Sequence, residues 1–572
     1  MDNGDRNRLF IEQNIQPHTS VKVDMKIITG FAFCFVLWFV HSVSAQEKIS
    51  PNQAVTRNVE PGESHIYSVS LQDGDYVDAS ITPSGRIDVI ILDPNGSPHR
   101  RLPGSSNDEN KRFSFAAEGA GVYSIKVTNA SEQSAKYELS VESILSLNER
   151  LQPEPWSDPY PSPRIQALHR QIESGRSNTE RFWEEVARQG TPLIEPFGSD
   201  DKYYLVTFLW RGRRETRNVL VLGNFQSPRA DLENVMRRIA GSDVWYLTLK
   251  LPKGARFGYR LSPNDPLTFE RPRAAQRSAT AQVDPLNPRQ WSCPTGADKY
   301  QCRSLVELPG AAPQSWTIKK AGTAEGRIDE HTIKSEIQKL ERGIAVYTPP
   351  GYTSDARPNA LLFLFDGDDY PSPSLSMPTT LNNLIAASKI PATVVVLVKN
   401  VSGRRIKDLV PNPEFADFMA KELLPWVRAR YKVTNDPRQT VVGGFSAGGL
   451  AAAYMGLRYP EVFGNVLSQS GAFWWAPDHF LDTEDATTEP NWMARQFVAS
   501  PKLPVRFYLD AGTFELDKSG KGGDILEATR HLRDVLLAKG YEVHYQQFVG
   551  GHTDLSWRGT LADGLIALLG HH

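Results

Sequence analysis

The chain has 572 residues, 40% of them hydrophobic and 23% charged, with a formal net charge of −2. That length exceeds one ordinary domain and predicts about three. Near-neutral charge excludes a bulk field drawing the chain to nucleic acid or an anionic membrane, so any anion must be recognised by local basic groups.

Taken in order, residues 1–45 read as a secretory signal. Lys22 and Lys26 precede an apolar run over 27–40, and Val43-Ser44-Ala45 supplies the small residues a signal peptidase reads. The polar stretch before Met25 is long for a signal, so either Met1 or Met25 serves as the start. An uncleaved anchor is the alternative; His41 and the short apolar core argue against it.

Residues 46–146 alternate apolar and polar at period two over 65–69, 87–92 and 121–127, with Gly, Asn, Asp and Pro between them. This pattern predicts a small β-sandwich serving as an accessory module. Residues 147–180 are a linker stiffened by Pro153, Pro155, Pro159, Pro161 and Pro163, followed by a helix. Period-two runs return over 204–210, 218–222 and 244–249 and predict a second sandwich, of immunoglobulin type, over 181–290. Cys293 and Cys302 lie in a second linker, 291–325, and could bridge in an oxidising compartment, stabilising by up to about 3 kcal/mol. A zinc pair is less favoured, because no second cysteine or histidine pair stands nearby. The third cysteine, Cys34, sits in the apolar run of the signal.

Over 326–572, near-continuous apolar strands alternate with helices, which predicts a parallel sheet covered on both faces. Strands are expected over 344–347, 360–365, 393–398, 439–443, 465–469, 505–509 and 543–548, with helices over 415–427 and 525–538. Within this part, Thr440-Val441-Val442-Gly443-Gly444-Phe445-Ser446-Ala447-Gly448-Gly449 runs from apolar strand to glycine-lined turn to alanine-rich helix. That is the context of a nucleophile elbow. The turn at Ser446 is so sharp that Gly444 and Gly448 have no room for a Cβ, and the Ala447 N–H is placed to bind an oxyanion. The fold class expected is an α/β-hydrolase catalytic domain preceded by two β-sandwiches, jelly-roll-like and immunoglobulin-like.

A serine hydroxyl needs a base, and the base needs an orienting acid. In this fold they follow in the order serine, acid, histidine. The histidines after Ser446 are His479, His531, His544, His552, His571 and His572; His531 falls in a helix, His544 in a strand, and His571 and His572 at the end of the sequence. His552, directly after Val549-Gly550-Gly551 and the last strand, is the expected base. The acid is expected on the loop after the preceding strand, where Glu515 is preferred and Asp510 and Asp517 remain open. The second oxyanion donor is the N–H of Asp368, with Gly367 letting the chain turn in Leu364-Phe365-Asp366-Gly367-Asp368-Asp369. No metal site and no cofactor is expected.

From about Phe182 onward the chain resembles the enterochelin esterases. The resemblance rests on Phe182-Trp183-Glu184-Glu185, Val206-Thr207-Phe208-Leu209-Trp210, Asp284-Pro285-Leu286-Asn287-Pro288, Gly444-Phe445-Ser446-Ala447-Gly448-Gly449, Ser468-Gln469-Ser470-Gly471-Ala472-Phe473-Trp474-Trp475 and Gly551-His552 with Trp557-Arg558. It implies hydrolysis of the ester bonds of a ferric catecholate trilactone siderophore, with iron arriving as part of the substrate, and an immunoglobulin-like domain helping to form the pocket. The first sandwich resembles jelly-roll modules of secreted bacterial hydrolases. Arg405-Ile406-Lys407-Asp408-Leu409 departs from the family's Arg-x-x-Glu-Leu. An aromatic trianion would be met by Trp474, Trp475, Trp557, Arg405 and Arg558. Other readings are a carbohydrate esterase releasing feruloyl or acetyl groups, and a siderophore- or glycan-binding protein without catalysis. The expected location is the periplasm, with no nucleic-acid or membrane partner after signal cleavage.

Overall fold

The structure is a computed structural model. It describes residues 46–102, 110–147, 162–175, 179–223, 225, 232–267, 279–293, 296–354, 357–477, 489–516 and 524–570. The expected signal over 1–45, the prolines up to Pro161, and His479, Asp517, His571 and His572 lie outside the described residues.

The first nine strands are β1 (Glu47–Lys48), β2 (Gln53–Val59), β3 (Ser64–Leu71), β4 (Tyr76–Pro83), β5 (Ile87–Leu92), β6 (Pro98–Leu102), β7 (Lys111–Ala116), β8 (Gly121–Asn129) and β9 (Ala135–Leu145). They form sheets ordered β1-β3-β8-β5-β6 and β2-β9-β4-β7. Tyr123, Ile125 and Val127 of β8 turn inward and are fully buried, while Ser124 and Lys126 between them face outward. Period-two patterning thus becomes a two-sheet sandwich around one core.

Pro163 opens helix α1 (Pro163–Glu173), and α2 (Glu180–Gln189) follows. Phe182, Trp183 and Val186 of α2 pack on Leu193, Leu209 and Val244. The second sandwich comprises β10 (Leu193–Phe197), β11 (Asp200–Arg211), β12 (Val219–Gly223), β13 (Arg237–Arg238), β14 (Val244–Pro252), β15 (Arg256–Pro263), β16 (Gln290–Trp291) and β17 (Arg303–Glu307). Its sheets are β10-β11-β14-β13 and β12-β15-β17-β16. The sandwich therefore does not end at 290. β17, past the cysteine loop, pairs antiparallel with β15 and supplies Val306 to the core, so 303–307 is strand rather than linker. Cys293 and Cys302 are joined as a disulfide, with Cα atoms 4.5 Å apart.

The remaining strands are β18 (Arg327–Ser335), β19 (Leu340–Thr348), β20 (Ala360–Phe365), β21 (Thr393–Val398), β22 (Thr440–Phe445), β23 (Asn465–Gln469), β24 (Arg506–Gly512) and β25 (Glu542–Phe548). They form one sheet in the order β18-β19-β21-β20-β22-β23-β24-β25. Pairing is antiparallel through β18, β19 and β21 and parallel from β21 to β25. Helices α3 (Met377–Ala386), α4 (Arg405–Leu409), α5 (Pro413–Phe418), α6 (Leu424–Arg430), α7 (Ala447–Arg458), α8 (Trp492–Ala499), α9 (Ile525–Ala538) and α10 (Asp554–Leu569) connect them. The helix expected over 415–427 is α5, a π turn over Met419–Leu423, and α6; Pro425 has no N–H for a regular α-helical bond at that point.

In β20, Leu361, Phe363 and Phe365 join a core shared with α5 and α7 to α9. Leu362 and Leu364 join the opposite core, with α3 and α10. Burial on both faces is why this strand reads as a continuous apolar run. Because β20 and β22 to β25 run parallel, the loops after them emerge at one edge of the sheet, where such folds place ligands.

Candidate active site

Ser446 follows β22 with φ 57° and ψ −122°, a left-handed conformation that a non-glycine residue adopts at a cost of about 1–3 kcal/mol. Its backbone is fixed from both sides. Its N–H donates to the Gln469 carbonyl at 2.9 Å, and its own carbonyl accepts from Ala472 N–H at 3.0 Å. A Cβ on Gly444 would come within 2.9 Å of the Gly448 backbone, the close approach the elbow demands. Ala447 is the first residue of α7, so its N–H has no intrahelical acceptor.

The loop after β24 brings Glu515 and the loop after β25 brings His552. His552 Nδ1 and Glu515 Oε1 are 2.7 Å apart, and Glu515 Oε2 accepts the Gly512 N–H at 2.6 Å. The carboxylate is 1% exposed, which strengthens its hold on the imidazole. With Nδ1 on Glu515, any proton exchanged with a serine would pass through Nε2. Trp557 bridges the two regions. Its ring stacks on Phe445, beside the serine, at 4.2 Å and 5°, and meets His552 edge-on at 4.8 Å. Its Nε1–H donates to Ser470 Oγ at 3.0 Å.

Asp510, the other described candidate acid, ends inside the sheet. It is fully buried, and its Oδ1 accepts the Ser470 N–H at 2.9 Å. Burial pushes its carboxyl up to about 8, so it is largely protonated at neutral pH and cannot serve as an anionic orienter.

At the end of β20 the left-handed residue is Asp366, at φ 54°, and not Gly367. Gly367 is required for a different reason than turning: a Cβ there would lie 2.5 Å from the Leu397 carbonyl carbon. The Gly367 N–H bonds the Val398 carbonyl and the Asp369 N–H bonds the Asp366 carbonyl. Among the described residues, the Asp368 N–H between them has no backbone acceptor. Asp369 is pushed above the usual carboxylate range by burial and by the charges of Asp366 and Asp368.

The five residues expected to meet substrate have other partners. Arg405 grips the buried Asp366 carboxylate with two bonds, Nε to Oδ1 at 2.6 Å and Nη2 to Oδ2 at 2.7 Å. Asn400 adds a third bond, to Oδ1, at 2.8 Å. Arg405 therefore anchors the turn after β20 instead of standing as a free cation. Arg558 lies over the Trp291 ring at 4.6 Å and donates to Thr317, so it joins two parts of the chain. Trp475 is 6% exposed and packs edge-on against Trp492, as core. Trp557 is the buried bridge described above, and Trp474 is partly buried against the same core as Trp475. The shortened Asp408 is also structural: it is buried in an ion pair with Arg342 and takes a second bond from Arg404.

The sequence motifs include Asp366 and Gln469 but assign no role to them or to Asn400. Gln469 Nε2 donates to the Trp557 carbonyl and to Thr560 Oγ1, both at 2.7 Å, tying α10 to the sheet. A polar Ser-Gln-Ser run closing an apolar strand was the available signal.

Comparison with known proteins follows the same lines. A family model described as putative esterase matches residues 335–568, and one described as enterochelin esterase, N-terminal, matches 205–317. The chain is 32% identical over 391 residues to an iron(III) enterobactin esterase of Escherichia coli O6:H1, covering 64% of this chain and 92% of the relative. It is 29% identical over 433 residues to an iron(III) enterobactin esterase of Dickeya dadantii, covering 70% and 94%. The crystal structure of the Shigella flexneri enterobactin esterase in the presence of enterobactin superposes with a TM-score of 0.52 at 29% identity, covering 69% of this chain and 98% of that one. Both family matches begin after the first sandwich. The sheet edge carrying Ser446, His552 and Glu515 falls within the esterase match, and this chain is a carboxylic ester hydrolase belonging to the enterochelin esterase family.

Proposed function

We propose that the chain hydrolyses the ester bonds of a ferric catecholate trilactone siderophore through an acyl-enzyme on Ser446. The observation that carries the reaction is the His552–Glu515 pair, set at the same sheet edge as a strained serine elbow and joined to it through Trp557. The substrate class is supported by the relatives named iron(III) enterobactin esterase.

Ser446 Oγ attacks the ester carbonyl carbon while its proton passes to His552 Nε2. Glu515 holds the imidazole in the tautomer that accepts this proton and stabilises the imidazolium. The N–H groups of Ala447 and Asp368 bind the oxyanion of the tetrahedral intermediate, a donor pair in which each member is typically worth a factor of about 10²–10³ in rate. Collapse expels the alkoxide, which takes the proton from His552. Water, deprotonated by His552, then attacks the acyl carbon and releases a carboxylic acid with Ser446 restored. The iron is cargo of the substrate and takes no part in these steps.

The catalytic part is of α/β-hydrolase type over 326–572, the second sandwich is immunoglobulin-like, and the first is a jelly-roll-like accessory module. The protein is exported to the periplasm. The apolar run before Val43-Ser44-Ala45 supports that location, as does the disulfide, which persists in oxidising compartments.

The test is turnover of a ferric catecholate trilactone, followed as release of its hydroxy-acid units, by the parent and by Ser446→Ala. The parent is expected to cleave it and the variant to lose cleavage. Unchanged cleavage by the variant would refute the serine mechanism. Preference of the parent for a feruloyl sugar would refute the substrate class.

A further inference from the structure

The loops bearing the acid and the base are not held by the eight-stranded sheet alone. Phe514, directly before Glu515, is 8% exposed and belongs to the hydrophobic core of the second sandwich. Its ring meets Phe257 of β15 edge-on, with centroids 6.4 Å apart. Val549, three residues before His552, packs partly buried against the same core, and its carbonyl accepts the Arg256 N–H at 3.1 Å.

The two loops are also tied to each other. Thr513 N–H donates to the Phe548 carbonyl at 2.9 Å, and Phe514 N–H to the Gly550 carbonyl at 3.0 Å. A Cβ on Gly512 would lie 2.3 Å from the Gly550 oxygen, so the main chains touch with no side chain between them. On its other side, the Cβ position of Gly550 is 3.3 Å from the Arg256 carbonyl oxygen. Acid loop, base loop and β15 thus form one backbone-bonded stack, and Phe514 is its apolar peg in the sandwich.

We infer that the second sandwich sets the geometry of the acid–base pair, with Phe514 as the positioning residue through which it does so. This rests on the reading of Ser446, His552 and Glu515 given above. An alkyl or aromatic group buried in a foreign core fixes the backbone one residue away. Glu515 spends one oxygen on the Gly512 N–H and the other on His552, so it has no slack to follow a displaced backbone. Misplacement of such a group by about 1 Å can cost about a hundredfold in rate. The sandwich then contributes to kcat, apart from any wall it offers to substrate.

The test uses the full chain and a small chromogenic ester that is too short to reach the sandwich, with folding checked by circular dichroism at the assay temperature. Phe514→Ala is expected to lower kcat by ~10²-fold and Phe514→Leu, which refills part of the socket, by about threefold, with KM changed less than twofold in both. Val221→Ala, a fully buried change in the same core, is expected to keep the parent kcat while lowering the melting temperature. A kcat for the Phe514 variants no lower than that of Val221→Ala overturns the inference, as does a rise in KM at constant kcat. If Phe514→Ala does not fold, Phe514→Leu against Val221→Ala decides. Ser446→Ala, run beside them, separates the two failures: activity retained there refutes the serine mechanism and not the positioning role alone.

Discussion

The two sandwiches meet the rest of the chain by different means. The first docks through polar contacts at its rim and one aromatic contact, the buried Tyr300 ring meeting His99 edge-on at 5.7 Å. Arg101 N–H donates to Asp298, Gln301 donates to the Arg101 carbonyl, and Glu118 receives both Lys299 and the Tyr300 hydroxyl. The second takes Phe514 from the esterase part into its own core. Exposed ion pairs contribute little and are screened by salt, whereas a shared apolar core cannot separate without exposing it to water. The first sandwich is therefore attached, and the second is part of the machine. Damage should cost less activity the farther it lies from the sheet edge that carries Ser446.

The sharpest break of that ordering would come at the acid. Glu515→Gln should lower kcat by about 10³–10⁴-fold, because an amide cannot stabilise the imidazolium or hold its tautomer. Steady-state kinetics check this, and a fall of less than tenfold would move the role of acid elsewhere. Next, Gly444→Ala forces a methyl against the Gly448 backbone and should cost about 1–3 kcal/mol of stability together with a clear loss of activity. Thermal unfolding and turnover of the one variant measure both.

Asp510 sharpens the comparison by contrast, since it lies only five residues from Glu515 yet is buried as a neutral acid. Its folded value of about 8 lies above the ordinary 3.8, so its contribution to stability is fully present below about pH 4 and is lost as pH rises toward 8. Asp510→Asn should flatten that decline in a denaturation series across the window and leave kcat near the parent value at pH 7. A hundredfold loss of kcat would make Asp510 a rival to Glu515. The smallest effect is expected at the first sandwich. Lys299→Gln removes the Glu118 ion pair and leaves the Tyr300 bond to Glu118; the pair's partners are 38% and 40% exposed, and its loss should cost about 0.2–1 kcal/mol of docking with kcat unchanged. Limited proteolysis between the two sandwiches reads the docking.

What could be read from the sequence was whatever local geometry enforces. A glycine-cramped serine between an apolar strand and a small-residue helix has few alternatives, and a histidine directly after the last strand must emerge at the ligand edge. Glu515 lay within reach for the same reason. The partners of the cations were not legible. Nothing local to Arg405 says that Asp366, 39 residues earlier, takes both of its donors, and nothing local to Arg558 says that Trp291 lies beneath it. Tryptophans mark burial and binding alike, and Trp475 and Trp557 proved to be buried. Phe514 was invisible as an anchor because its socket belongs to another part of the chain. The strand over 303–307 was missed because the cysteine loop before it looks like the end of a domain.

The disulfide gives these contacts a practical consequence. The short loop it closes carries Asp298, Lys299, Tyr300 and Gln301 toward the first sandwich, while Trp291, just before it, donates to Asp554 and lies under Arg558 on the helix that follows His552. A thiol reductant added to an assay buffer would open this loop, while Trp291 stays paired with Arg303 of β17. Rates measured with and without reductant therefore show whether the loop's own contacts reach turnover.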